Sequence, residues 1–258
     1  YATTGNWNTA ATWYIGGTDQ FSYFYYIDAS VDEVRISSSV RSADWIATEY
    51  NNQNVPGTFA SISKETGYYP VAETAGWYAT GGSPAGEWSA RQKVTIDHTK
   101  VPNTDQTDFP VLVKITNQSN GLFGTAQADG DDILFTSSNG TTKLSHEIET
   151  YDGATAGSKA LWAWVKVPTL ATATDTVLYM YYGNASATSQ QNATGVWSNG
   201  YKASWHLADP ATPVDSKGVY NGTNHGATAI TCKVGGAGNF SGSSTWISTL
   251  MNDLFINI

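Results

Sequence analysis

Apolar and aromatic residues fall along this chain in short runs broken by Gly, Pro, Asn and Asp, the punctuation of strands and turns. Runs at residues 21–27, 31–36, 90–98, 109–116, 132–136, 144–151, 160–167 and 176–182 carry many β-branched and aromatic side chains, which suit a pleated, half-buried surface. Turn signals lie between them, among them Asn120-Gly121, Asp129-Gly130, Asn139-Gly140, Asp152-Gly153, Pro168 and Gly183-Asn184. One stretch reads differently. Ser42 can cap a helix, Asp44 suits its positive N-terminal turn, and Trp45, Ile46, Ala47 and Tyr50 supply a short apolar face. The Asn-rich run at 51–54 and Pro56-Gly57 end it. The pattern predicts an all-β chain of antiparallel β-sandwiches with one short helix near residues 42–51.

Four segments separate along the chain. Residues 1–59 hold two strand-like runs and the helix. Residues 60–86, with Pro70, Gly81-Gly82, Pro84 and Gly86 and no sustained period, read as a linker. Residues 87–195 carry six or so strands with no helix between them, which reads as a complete sandwich. Residues 196–258 are strand and loop again and finish on an apolar strand, where Leu254, Ile256 and Ile258 share one face and Phe255 takes the other. These four residues are candidates for pairing with another chain.

Composition narrows function mainly by exclusion. Only 14% of residues are charged and the net charge is −9, so neither nucleic-acid phosphates nor an anionic membrane surface is an expected partner. No apolar run reaches the roughly 20 residues of a membrane-spanning helix. Cys232 is the only cysteine, which rules out an intrachain disulfide and leaves a small buried side chain as its expected role. The chain opens on Tyr1 without a signal segment, as expected of a matured product or a piece of something longer.

Candidate chemistry is sparse. Asn-x-Ser/Thr sequons at Asn117, Asn139, Asn184, Asn192, Asn221 and Asn239 are candidate glycan-attachment sites. Glu147 and Glu149 stand two apart on a predicted strand, which places both on one face with Cα atoms about 6.5–7 Å apart. That separation suits the paired carboxylates of a glycoside hydrolase, while a solvent-facing strand is the simpler reading. Asp129, Asp131 and Asp132 form an acidic turn able to hold a hard cation such as calcium, and an ordinary hydrated loop is again simpler. No other cofactor is indicated. His98, His146, His206 and His225 are scattered without zinc-ligand spacing, and no nucleophile elbow, P-loop or dinucleotide-binding glycine run follows a strand. Trp162 and Trp164 share a strand face and are expected in the core. Trp7, Trp77 and Trp88, near loops, are better placed to stack on sugars.

Three blocks of the chain also carry a family resemblance. Val31-Asp32-Glu33-Val34-Arg35-Ile36-Ser37, then Ser42-Ala43-Asp44-Trp45-Ile46 through Tyr50 and the exit Pro56-Gly57-Thr58-Phe59, resembles the end of a LamG-type, concanavalin A-like jelly roll. Tyr201-Lys202-Ala203-Ser204-Trp205-His206-Leu207, the Asp215-Ser216-Lys217-Gly218 turn, Lys233-Val234-Gly235-Gly236-Ala237, Phe240-Ser241-Gly242 and Trp246-Ile247 resemble its beginning. Residues 87–195 resemble a domain of unknown function that accompanies LamG modules in bacterial and archaeal surface proteins. The phrases that carry this are Phe109-Pro110-Val111-Leu112-Val113, Asp131-Asp132-Ile133-Leu134-Phe135-Thr136, His146-Glu147-Ile148-Glu149-Thr150-Tyr151-Asp152, Trp164-Val165-Lys166-Val167-Pro168 and Leu178-Tyr179-Met180-Tyr181-Tyr182-Gly183-Asn184.

The resemblance implies a secreted or cell-surface protein of a bacterium or archaeon, with calcium a cation such folds often take up near their loops. Its two jelly-roll parts arrive in reversed order, the end at 1–59 and the beginning at 196–258. A few strands with open edges need a partner. The parts can close within one chain as a permuted sandwich, join tail to head between copies and so grow a filament, or belong to a longer array of modules. The function expected from this is a non-catalytic extracellular structural protein that assembles with copies of itself. A carbohydrate-binding or adhesion module, with glycans as partners, is the alternative, and a glycosidase using Glu147 and Glu149 a third.

Overall fold

The computed structural model describes residues 12–18, 25–64 and 88–251. Strands pair antiparallel, as the run lengths and turn signals predict. The N-terminal segment provides β1 (Thr12–Ile15), β2 (Gly17–Thr18), β3 (Tyr25–Tyr26), β4 (Asp28–Val31) and β5 (Val34–Ser37). The chain divides into two units, residues 42–196 and residues 1–41 with 197–258. The helix and its Pro-Gly-Thr-Phe exit therefore fold with the central unit, although their motif groups them with the N-terminal part.

The central unit opens with α1 (Ala43–Asn54), where the Ser42 hydroxyl accepts from the Trp45 N–H at 3.1 Å. The buried face is Trp45, Thr48 and Asn52, whereas Ile46 and Tyr50 are 58% and 65% exposed. That differs from the apolar face expected, because two polar residues are held by hydrogen bonds rather than by hydrophobicity. Thr48 donates to the Asp44 carbonyl at 2.7 Å. Asn52 accepts from the Leu112 N–H at 2.8 Å and donates to the Leu112 carbonyl at 3.3 Å.

α2 (Pro56–Phe59) leads into β6 (Ala60–Lys64), so the segment expected to be a linker begins with a strand, its Ala-Ser-Ile-Ser alternation too short to stand out. The unit continues with β7 (Ala90–Ile96), β8 (Gln106–Ile115), β9 (Leu134–Ser137), β10 (Lys143–Leu144), β11 (His146–Asp152), β12 (Ala160–Leu170), β13 (Thr176–Tyr182) and α3 (Ala193–Val196). One sheet runs β10-β9-β13-β7-β6 and the other β11-β12-β8. Asn52 thus completes backbone hydrogen bonding on β8, an edge strand. Phe135 of β9 meets His146 of β11 at 5.3 Å, which ties the two sheets through one core. Pro168 does not end β12 as its type suggests. Beyond Val165 that strand has no β11 partner, so a missing N–H is tolerated there.

The C-terminal segment adds β14 (Tyr201–Trp205), β15 (Gly222–His225), β16 (Thr228–Thr231), β17 (Gly236–Ser241) and β18 (Trp246–Leu250). They form sheets with the N-terminal strands, in the orders β1-β18-β15, β16-β17-β4 and β14-β5, beside the small pair β2-β3. Registers are set by apolar residues that face inward, as in Ile15 opposite Ile247 and Val34 opposite Trp205. Both segments feed one core, in which Trp205, Phe240 and Ile247 pack with Ile15, Val31 and Ile36. Gly16 shows how tightly they fit: its φ is +86° and a Cβ there would lie 2.2 Å from the Phe240 ring.

Candidate functional site

The two segments of the split unit meet around titratable side chains that no spacing in the sequence brings together. Asp32 and Glu33 alone connect β4 to β5, and Glu33 adopts φ 56°, a left-handed conformation uncommon for residues other than glycine. Just past β14, Leu207 adopts φ 61°. Between these two tight places His206 Nδ1 lies 2.7 Å from Glu33 Oε1, with side chains only 10% and 4% exposed. The other Glu33 oxygen pairs with the Arg35 guanidinium, which lies 4.7 Å over the Trp197 ring. Trp197 meets His206 at 5.7 Å. Arg41 stacks 4.5 Å over Tyr201 and donates to the Asn199 carbonyl. The N-terminal segment thus supplies carboxylates and guanidiniums, and the C-terminal segment supplies imidazole, aromatic faces and a carbonyl.

Asp32 completes the group. Its Oδ2 accepts from the Val234 N–H at 3.3 Å, while its Oδ1 is buried without a hydrogen-bond partner. Burial first, and the adjacent Glu33 charge second, push its pKa up to about 7. This places a proton that can come and go near neutrality at the join between two chain segments. Sequence inspection passes over it because Glu33 and His206 are 173 positions apart. Only the complementary motifs around them, taken as two parts of one fold, point to the pairing.

The carboxylates singled out by sequence are occupied elsewhere. Asp132 is fully buried, and it accepts from the N–H groups of Gln127, Gly183 and Asn184 at 2.9, 2.7 and 2.8 Å. Asp129 accepts from the Asp131 N–H at 3.2 Å, and the three aspartates do not gather into a metal-ligating group. Glu147 and Glu149 do not share a regular strand face, because β11 bulges between Ile148 and Thr150. Glu149 instead accepts from the Trp164 indole N–H at 2.9 Å. Trp162 and Trp164 are buried, as expected of core residues, and so is Trp88, whose indole donates to the Asp132 carbonyl at 2.7 Å. That removes Trp88 as a sugar platform. Trp7 and Trp77 lie outside the described residues, as do Leu254, Phe255, Ile256 and Ile258.

The sequons differ in access. Asn184 is 3% exposed, so its amide offers no room for a glycan. Asn117, Asn139, Asn192 and Asn221 are exposed and Asn239 is half-buried. Asn117, Asn139, Asn192 and Asn221 use their side-chain oxygens to brace local turns. Cys232 is half-buried rather than buried. Asp97, His98 and Asp175 bring ligand atoms within 4.8 Å of one another, yet their bonds are those of a braced turn. Asp97 accepts from the Thr99 N–H at 2.9 Å, and Asp175 accepts from the His98 N–H at 3.1 Å and lies 2.6 Å from its Nδ1. His146 is fully buried, and desolvation pushes its pKa down to about 4.

Residues 129–203 match the domain of unknown function DUF2341, a stretch from the turn before β9 into β14. It covers the later strands of the segment expected to belong to such a domain and runs past residue 195. No curated protein and no solved structure matches the chain.

Proposed function

We propose that this chain is a non-catalytic, extracellular structural module whose N- and C-terminal segments are interchangeable halves of one sandwich. The halves close on each other within a chain. By making the same strand pairs between chains they link copies tail to head into a fibre or surface array. The observation that carries this reading is the set of pairings β1 with β18, β4 with β17 and β5 with β14, in which each segment supplies the strand edges that the other needs. Short strands with open edges are not stable alone, so whichever copy is nearest becomes the partner. Light scattering after size exclusion, with electron microscopy, tests it: copies carrying two different tags, mixed at high concentration, exchange into mixed oligomers or fibres. Copies that stay monomeric and never mix would refute the reading.

A carbohydrate-binding role is the second reading, favoured by one surface. On β18 and β15 Trp246 stacks on His225 at 4.4 Å and on Tyr26 at 5.8 Å, with Tyr25 71% exposed nearby in sequence. Such aromatic rows suit sugar rings. A glycan array, run with and without calcium, separates the two readings, since Trp246→Ala abolishes binding only in the second.

A further inference from the structure

We infer that the Asp32–Glu33–Arg35–His206 cluster is a proton-controlled latch between the two segments, gripping in mild acid and releasing the N-terminal segment as the pH rises to neutrality. The inference deepens the proposed function by naming what regulates segment exchange. It starts from geometry. The cluster spans the join, since Asp32, Glu33 and Arg35 come from one segment and His206, Trp197 and the Val234 amide from the other. The strands it secures, β4 and β5, are only four residues each, so few ladder hydrogen bonds back it up. The closed join holds Glu33 and Leu207 in left-handed backbone, a conformation that residues other than glycine adopt at a cost.

The chemistry sets the sign. The groups facing Asp32 are Glu33 and Arg35 from its own segment, with His206 and the Val234 N–H from the other. When Asp32 is neutral, Glu33 alone carries a negative charge beside the Arg35 guanidinium, with the His206 ring at its other oxygen. When Asp32 ionises, a second negative charge sits beside Glu33 with one carboxylate oxygen buried and unpartnered, which costs the closed form and not the open one. A carboxyl raised from 3.8 to about 7 in the closed form contributes its full stabilisation below 3.8 and loses it progressively as the pH rises through about 7.

Amide hydrogen exchange on the intact protein, corrected for the intrinsic pH dependence of exchange, tests the latch. The opening constant for peptides covering β5 and β14 is expected to rise by at least about tenfold between pH 5 and pH 8, a carboxyl moved from 3.8 to about 7 allowing up to about a hundredfold. Asp32→Asn, neutral at every pH, is expected to reduce that rise to less than about threefold, the same linkage being removed. A wild-type join indifferent to pH, or an Asp32→Asn protein that keeps the wild-type slope, would overturn the latch. Mixing of tagged copies at a pH-independent rate would also overturn it while leaving assembly intact. A pH-dependent opening without any mixing supports the latch and counts against assembly.

Discussion

The central unit closes its sandwich with strands that follow one another along residues 42–196, whereas the split unit joins residues 12–41 to residues 197–251 across that whole insertion. Loop-closure entropy makes this arrangement cheaper than it looks, since each doubling of loop length adds only about 0.6 kcal/mol. The split unit thus pairs strands from residues 12–37 with strands from residues 201–250, where the central unit draws its strands from one stretch of chain. The polar groups differ accordingly. In the central unit Asp132 is a carboxylate bonded to three backbone amides and His146 is buried in the core. In the split unit Asp215 does a similar bracing job inside the C-terminal segment, but the join itself rests on a cluster whose charge changes near neutral pH.

This contrast can be broken in a graded way. The largest effect is expected from Asp132→Ala, which orphans three amides in a fully buried site and should cost the central unit about 3–5 kcal/mol in urea denaturation. Asp215→Ala should do the same to the split unit alone, so the two variants separate two unfolding transitions. Next is pH. His146 refuses a proton in the folded core until about pH 4, while the unfolded chain takes one near 6.5. The central unit should therefore lose up to about 3 kcal/mol as the pH falls from 6.5 to 4, over an interval in which Asp32 makes the split unit more stable. Melting followed separately for each unit checks this, and His146→Phe should flatten the first trend. Gly16→Ala forces a side chain into a left-handed position against Phe240 and should cost the split unit about 1–3 kcal/mol, read as lost exchange protection in β1 and β18. The smallest effect belongs to Asp108→Asn. It removes a half-buried, long 3.8 Å pair with Lys166, and Asn tolerates the φ of 52° at that position, so stability should move by less than about 1 kcal/mol.

Much of the strand plan was legible in the sequence. The run at 176–182 matches β13 residue for residue, and the helix cap at Ser42 is where its side chain and the following Asp44 place it. The misreadings share a cause. Ile46 and Tyr50 were expected inward and face out, while Asn52 faces in, because a hydrogen bond to an edge strand outweighed hydrophobic content. Glu149 was expected beside Glu147 on one face, and a bulge turned it to the Trp164 indole. Pro168 was expected to stop a strand, and an absent neighbour let the strand continue. Each depends on what lies across a sheet, which local pattern does not record.

The sequence by itself determined the antiparallel all-β character and many of the turn positions, since strand and turn preferences act over a few residues. Only the tertiary structure decided that the segments meet through Glu33 and His206, that Asp132 braces backbone rather than faces a cation, and that Asp32 holds its proton to about pH 7. Those outcomes depend on burial and on partners distant in the chain, and a carboxylate's charge depends on what surrounds it.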